Sequence, residues 1–90
     1  MDVRWDPLKA ARNLRKHGVR FCDAEAVLYD SHALTIEDPD AADEARYISV
    51  GQGTGGQLLV VVYVYREDHV RLISARRATR REMASYEKRI

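Results

Sequence analysis

The sequence predicts an α+β fold: one small domain over residues 1–90, in which two N-terminal helices and one C-terminal helix flank a curled antiparallel sheet of four to five strands. Helical periodicity occurs only near the two ends of the chain, and two-residue alternation of apolar side chains begins after residue 30. The hydrophobic share of 46% is that of a globular chain, and 90 residues suffice for one domain with a thin core. A run of strands flanked by helices is typical of the α+β class.

A short strand at residues 2–5 is followed by a helix within "WDPLKAARNLRKHG". Asp6 is a good N-cap, Pro7 suits the first helical position, and Gly18 favours the left-handed conformation that ends helices. Its apolar residues form a narrow stripe that we expect to be buried, namely Leu8, Ala10, Ala11 and Leu14.

A second, shorter helix is predicted from about Asp23, with Ala24, Val27 and Leu28 as its buried residues. The preceding Cys22 is the only cysteine, so an internal disulfide is excluded. Beside Phe21, this cysteine is expected to be a small core residue.

Four strands should follow. "ALTIE" and "RYISVG" alternate, and "GQGTGGQ" is a glycine-rich hairpin connection that lacks the Gly-Lys-Ser/Thr ending of a phosphate-binding loop. "LLVVVYVYR" is apolar on both faces and is therefore placed centrally in the sheet. After a turn at Glu67-Asp68, "VRLISA" alternates again. The helices are expected to cover one face of this sheet.

The last helix is predicted from Thr79. Thr79 and Glu82 have the spacing of a capping box, and the buried stripe should contain Met83, Tyr86 and Ile90. Aromatic side chains can stack on nucleic-acid bases, but a domain this small needs Trp5, Tyr63 and Tyr86 in its core, which leaves Tyr65 open.

The net charge of +1 hides a segregation of charge along the chain. Residues 37–44, "EDPDAADE", carry five acids and no base, whereas residues 69–90 carry seven Lys or Arg and two acids. The acidic segment either neutralises the basic one within the monomer or leaves it to a polyanionic partner.

Arginines crowd the start of the last helix in "ARRATRRE", residues 75–82. A helix start carries positive partial charge, and neither Arg80 nor Arg81 has an acid three or four positions later. A bound phosphate would remove this conflict, because free backbone amides and guanidinium groups together bind anions. The alternative is a solvated surface. Arg77, Arg80 and Arg81 are therefore candidates for binding phosphate.

His17 is the histidine in the most basic setting. Histidine ordinarily titrates near neutrality and is a common general acid or base, but at a helix C-terminus it is also favoured by the dipole alone. His32 and His69 lie in predicted turns and are not expected to be catalytic. No histidine pair has metal-ligand spacing, so no metal or other cofactor is predicted. The N-terminus has no secretory signal and the longest apolar run has eight residues, which predicts a cytoplasmic protein with no membrane association.

Four segments together resemble the BrnT family of toxins from bacterial type II toxin–antitoxin systems. They are "WDPLKAARNLRKHGVRF", "DAEAVLYD", "EARYISVGQ" and "VRLISARRATRREMASYE", and they cover almost the whole chain in order. The most specific features are the Trp-Asp helix entry, Asn13 followed by Lys16-His17-Gly18, and Ile73-Ser74-Ala75-Arg76 leading to Glu82 and Tyr86.

This resemblance implies an RNA-cleaving, metal-independent toxin that inhibits translation, with a fold like that of the RelE-type ribonucleases. It also implies a partner encoded beside the toxin: an antitoxin with a ribbon-helix-helix-type DNA-binding domain. The two would form a 2:2 complex that reaches operator DNA only through the antitoxin. The residues carried over as catalytic are His17, Arg46, Arg76 and Glu82. Lys16 is carried over beside His17 and, with Arg77, Arg80 and Arg81, is expected to bind RNA.

The sequence therefore leaves two candidate functions. The first is an endoribonuclease in which the 2′-hydroxyl of RNA attacks the adjacent phosphorus, with His17 transferring a proton and arginines holding the added charge. Glu82 is an alternative base, although its capping-box spacing favours a structural role. The second function is a non-catalytic basic domain that binds nucleic acid or an antitoxin.

Overall fold

The computed structural model describes residues 1–89, which form three helices around one five-stranded sheet. The strands are β1 (Val3–Arg4), β2 (Leu34–Glu37), β3 (Arg46–Gln52), β4 (Leu58–Tyr65) and β5 (Val70–Arg77). The helices are α1 (Pro7–His17), α2 (Phe21–Ala24), which continues as a 3₁₀ helix over Glu25–Tyr29, and α3 (Arg80–Arg89). The predicted α+β class and element order are confirmed.

The sheet has the order β1-β5-β4-β3-β2. β2 to β5 are antiparallel neighbours, and the apolar β4 is central, as predicted. β1 pairs parallel with β5, through Val3 and Val70, so the sheet is mixed and not purely antiparallel. The glycine-rich segment is a β3–β4 hairpin closed by the bond from the Gly53 amide to the Gln57 carbonyl (2.8 Å).

The core lies between the sheet and the segment from Val19 to Val27. Phe21, Ala24 and Val27 pack there against β4 and β5 side chains, including Leu59, Val61, Tyr63 and Leu72. Trp5 is half-buried and meets Phe21 edge to face, with ring centroids 6.0 Å apart. Cys22 is exposed, so its expected core position was wrong. α2 buries the neighbouring residue Phe21 instead, and Cys22 lies on the exposed side of the helix.

α1 is rotated relative to the expected orientation. Its cap is as predicted, since the Asp6 carboxylate accepts from the Leu8 amide (2.9 Å) and Gly18 has φ of 69°. However, Leu8 is 67% exposed, and Ala11 and Leu14 also face solvent. The expectation that Leu8, Ala11 and Leu14 are buried was therefore wrong. Of the four predicted stripe residues only Ala10 packs partly against the core, and the helix turns Asn13 inward.

Asn13 explains this orientation, because it bonds the free edge of β5. Its amide group donates to the Ala75 carbonyl (2.8 Å) and the Val19 carbonyl (3.0 Å), and its oxygen accepts from the Ala75 amide (3.1 Å). β1 covers only the first residues of β5, so the backbone at Ala75 would otherwise lack partners. Satisfying these buried groups outweighs burying the leucines of α1.

A β-bulge interrupts β5. Val62 pairs with Ser74 and Tyr63 pairs with Leu72, so Ile73 is an extra residue opposite β4. Leu72 and Ala75 both lie in the core although they are three positions apart. Strict alternation would instead have placed Ser74 and Arg76 on the same face as Val70 and Leu72. The bulge thus turns Ser74 and Arg76 to the opposite face, called the outer face here.

α3 follows β5 and lies toward the outer face, opposite the core segment Val19–Val27, while α1 lies along the free edge of β5. The expectation that all helices cover one face of the sheet was therefore wrong. The capping box is confirmed: the Thr79 hydroxyl accepts from the Glu82 amide (3.2 Å) and Glu82 accepts from the Thr79 amide (2.8 Å). Tyr86 is buried, and its hydroxyl donates to Asp30 (2.6 Å). The predicted stripe residue Ile90 lies outside the described residues. No helix among residues 1–89 is both long and apolar enough to cross a bilayer.

Candidate active site

The acidic segment does not neutralise the C-terminal arginines. Asp38 pairs with Arg46 (3.2 Å) and Glu44 with Arg66 (3.1 Å), both at the end of the sheet far from α3. Among residues 1–88, whose side chains are described, Arg77, Arg80 and Arg81 form no ion pair. Internal neutralisation was therefore the wrong alternative, and these cations remain available to a partner.

Arg76 and Glu82 form a two-bond ion pair that joins β5 to α3. The two terminal nitrogens of Arg76 donate to the two carboxylate oxygens of Glu82, each at 2.9 Å, and one of them also reaches the Arg77 carbonyl (3.2 Å). A guanidinium has five N–H donors, so the Nε proton and one terminal proton are left for a ligand. The Arg76 side chain is 42% exposed, which leaves these donors accessible.

Glu82 is held as an anion. The Arg76 hydrogen bonds, followed by the Thr79 amide, lower the pKa of Glu82 from 4.5 to about 2 against an opposing effect of burial. A carboxylate with so low a pKa is a poor proton acceptor near neutral pH. Its geometry serves instead to fix Arg76 and the first turn of α3.

We expect this pair to stabilise the fold above pH 4.5. The pKa of Glu82 is lower in the folded chain, so its contribution is complete above its unfolded pKa and is lost as the pH falls from about 4.5 to about 2. Glu82→Gln should flatten that part of the stability profile. Urea unfolding followed from pH 2 to pH 6 measures it. Glu87→Gln, at an exposed α3 position, is the control and should keep the wild-type slope.

His17 lies at the end of α1 beside the outer face of β5. With Lys16, Arg12 and Lys9, it lines a shallow depression whose floor is Ile73 and Ser74. The His17 ring is half-buried and makes no hydrogen bond to any described residue, so both of its nitrogens are free for a ligand.

Ser74 lies between His17 and Arg76 on the outer face. Both Ser74 and Arg76 face outward after the bulge, and two residues of a strand span about 7 Å. Because His17 shares its depression with Ser74, His17 and Arg76 both border the outer face of β5. We call residues 74–82, together with His17, the β5–α3 corner.

The predicted RNA-binding residues lie in this corner or next to it. Lys16 precedes His17, and Arg77, Arg80 and Arg81 are exposed at the β5–α3 junction. The capping box engages the amides of Thr79 and Glu82 and leaves those of Arg80 and Arg81 without a partner among the described residues. The start of α3 thus presents two free backbone amides and several cations to one region of the surface.

Arg46 lies elsewhere on the outer face. It pairs with Val64 of β4, whereas Arg76 pairs with Val60, so the two are offset by about 13 Å along the strand and lie on opposite sides of β4. The structure does not bring Arg46 to the β5–α3 corner. Its half-buried side chain bonds Asp38 and lines a depression shared with Lys9 and Arg71.

Sequence reasoning missed several residues of this surface. Lys9, Arg12 and Arg71 lie between Arg46 and His17, where the acids Asp40, Asp43 and Glu44 also line the depression around Arg46, and Ser74 forms the floor beside His17. The helical spacing of Lys9, Arg12 and Lys16 was the available signal for the first two. The direction of Arg71 follows from the alternation of Val70 and Leu72, whereas Ser74 had no signal, because its direction depends on the bulge. Within residues 1–89, no three His, Cys, Asp or Glu side chains converge where a metal ion would fit.

Comparison with known proteins finds similarity to a family model and to a solved structure. A family model described as the ribonuclease toxin BrnT of type II toxin–antitoxin systems matches residues 5–82. The crystal structure of the Brucella abortus ribonuclease toxin BrnT superposes with a TM-score of 0.64 and 28% sequence identity, covering 89% of this chain and 99% of that chain. No curated protein matches this chain in sequence.

Proposed function

Because this chain belongs to the BrnT family of ribonuclease toxins of type II toxin–antitoxin systems, we propose that it cleaves RNA at the β5–α3 corner without a metal ion. The observation that carries this proposal is that His17 shares a depression with Ser74, whose side chain lies on the same face of β5 as that of Arg76, two residues away. A proton-transfer group and a charge-stabilising group are the two parts that RNA cleavage by its own 2′-hydroxyl requires.

The reaction is an internal transesterification. The 2′-oxygen loses its proton and bonds to the adjacent phosphorus, and the bond from phosphorus to the 5′-oxygen breaks as that oxygen gains a proton. The products are a 2′,3′-cyclic phosphate and a 5′-hydroxyl. His17 transfers a proton in this reaction, and the free N–H groups of Arg76 bind the negative charge that grows on the phosphoryl oxygens.

Neighbouring residues hold the substrate. Glu82 is a positioning residue, since it fixes Arg76 through two hydrogen bonds and has too low a pKa to act as a base. Arg77, Arg80 and Arg81, with Lys16, bind flanking phosphates. Arg46 and Arg71 lie at a distance from the reacting bond, and we assign them only the RNA backbone, because Asp40, Asp43 and Glu44 share their depression.

Purified protein incubated with RNA in excess EDTA tests this proposal. We expect cleavage with cyclic-phosphate ends, and no cut where the 2′-hydroxyl at the cleavage site is replaced by hydrogen. Arg76→Ala should lower the rate about 100- to 1,000-fold, as loss of a charge-stabilising donor does elsewhere. Arg20→Ala, an exposed arginine near Cys22, is the control and should keep full activity.

Two results would contradict the proposal. A requirement for added metal would exclude the metal-independent reaction. Tight binding of RNA that stays intact would favour the alternative, a non-catalytic basic domain that binds nucleic acid or an antitoxin.

The toxin–antitoxin role implies an antitoxin partner. We further propose that this antitoxin carries a ribbon-helix-helix-type DNA-binding domain, that the complex is 2:2, and that operator DNA is contacted only by the antitoxin. Inhibition of translation in the cytoplasm, by a toxin whose fold is like that of the RelE-type ribonucleases, completes the proposal.

A further inference from the structure

The outer face carries an apolar groove next to the β5–α3 corner. Leu34 pairs with Val50 and Ile36 with Ile48, so these four side chains project from the same face of β2 and β3. Together with Arg81 and Ser85 of α3 they line a groove of about 390 Å³, with the Arg76–Glu82 pair at its far wall. We call it the β2–α3 groove. Ile36 is 61% exposed there.

From this groove we infer where the antitoxin docks: a segment of the antitoxin that carries aliphatic side chains and at least one carboxylate fills the β2–α3 groove and covers Arg76 and Arg81. This inference rests on the toxin–antitoxin role proposed above, but not on the assignment of catalytic residues. It also gives a physical reason for neutralisation, because the occupied groove removes Arg76 from the reach of RNA.

Charge at the groove selects the occupant. Glu82 is the one acid along it and is already bonded by Arg76, whereas Arg81 has no ion pair among the side chains of residues 1–88. The groove therefore combines an aliphatic floor with an unpaired cation at its edge. A partner with apolar side chains next to a carboxylate complements both parts.

Two other occupants fit less well. RNA could pair with Arg81, but single-stranded RNA stacks its bases on aromatic rings, and this floor is aliphatic. A second copy of the chain, docked through the same groove in a two-fold contact, would place two Arg81 cations in one interface. No free acid among the described residues lines the groove to pair with them, which opposes that contact.

Substitutions at Ile36 test the inference. Ile36 is far more exposed than a core residue and belongs to an edge strand, so its change should leave the fold and the RNA-cleaving activity of free toxin intact. The probe is the purified antitoxin encoded beside the toxin, and its affinity is measured by calorimetry. Ile36→Asp should weaken binding at least 10-fold, and Ile36→Lys should weaken it less, since only aspartate repels the partner's carboxylate.

Leu8→Asp is the matched control. Leu8 is equally exposed but lies on α1, away from the groove, so antitoxin affinity should not change. In a cleavage assay with antitoxin added, Ile36→Asp toxin should stay active at antitoxin concentrations that silence wild type and Leu8→Asp. Circular dichroism and thermal unfolding verify that each variant is folded.

The outcomes are separable. Wild-type affinity in Ile36→Asp, or equal loss in Leu8→Asp, would overturn the docking site. If Ile36→Asp turned a dimeric free toxin into a monomer and left antitoxin binding intact, the groove would be a self-interface and the docking site would be wrong. A loss of RNA affinity alone in Ile36→Asp would also overturn the docking site. If no RNA is cleaved but Ile36→Asp loses the antitoxin, the docking site stands and the catalytic proposal fails.

Discussion

Replacing His17 with alanine should lower RNA cleavage by about 100-fold or more, because positioned proton transfer contributes that much to such reactions. The loss should appear in kcat with little change in KM, since Lys16 and the arginines that bind phosphate remain. His17 makes no hydrogen bond to the described residues, so the melting temperature should stay near that of wild type. A gel assay on a fluorescent RNA, with EDTA present, measures both constants.

His32→Ala is the control for this experiment. His32 is exposed in a turn and bonds Asp30 only through its backbone amide, so cleavage should be unchanged. Added imidazole should restore part of the activity of His17→Ala and none of that lost in Arg76→Ala. Full activity of His17→Ala would remove His17 from the mechanism and leave the arginines as the remaining catalytic groups.

Asn13→Ala should destabilise the fold by about 3–5 kcal/mol. The substitution removes three hydrogen bonds and leaves the Ala75 amide and carbonyl and the Val19 carbonyl without that partner, and each buried polar group without a partner costs about 1–3 kcal/mol. Small domains have only about 5–15 kcal/mol of stability in total. Urea unfolding monitored by circular dichroism gives the change in the free energy of unfolding.

Arg15→Ala provides the comparison on the same helix. Arg15 is exposed, and its replacement should change the free energy of unfolding by less than about 0.5 kcal/mol. Exposing the β5 edge in Asn13→Ala should also promote aggregation, because unpaired strand edges bind other strands. An Asn13→Ala variant as stable as wild type would show that α1 is not held by this contact.

Short-range signals predicted much of this fold. The Asp6 cap, the left-handed Gly18 and the capping box of Thr79 and Glu82 each depend on residues within a few positions of one another, and all three are found in the structure. The order of helices and strands follows from the same local patterns. The resemblance to BrnT toxins also depends on local segments.

Features that depend on distant partners were not predictable in the same way. The burial of Asn13 is decided by a strand 62 residues away, and Leu8 is exposed as a result. The pairing of the acidic segment with Arg46 and Arg66 depends on where β3 begins and β4 ends, which no charge count reveals. The same holds for the site: its residue types were recognisable, but the separation of Arg46 from Arg76 is set by strand register.

The extra residue in β5 has a consequence for how this protein can change over generations. A chain lacking Ile73 would gain an unbroken ladder against β4, with Leu72 and Ala75 still facing inward and Ser74 and Arg76 still facing outward. Loss of the Ala75 codon would instead turn Arg76 into the apolar interior and abolish toxicity more completely than most substitutions. The length of this strand after the bulge is inherited as strictly as any of its side chains.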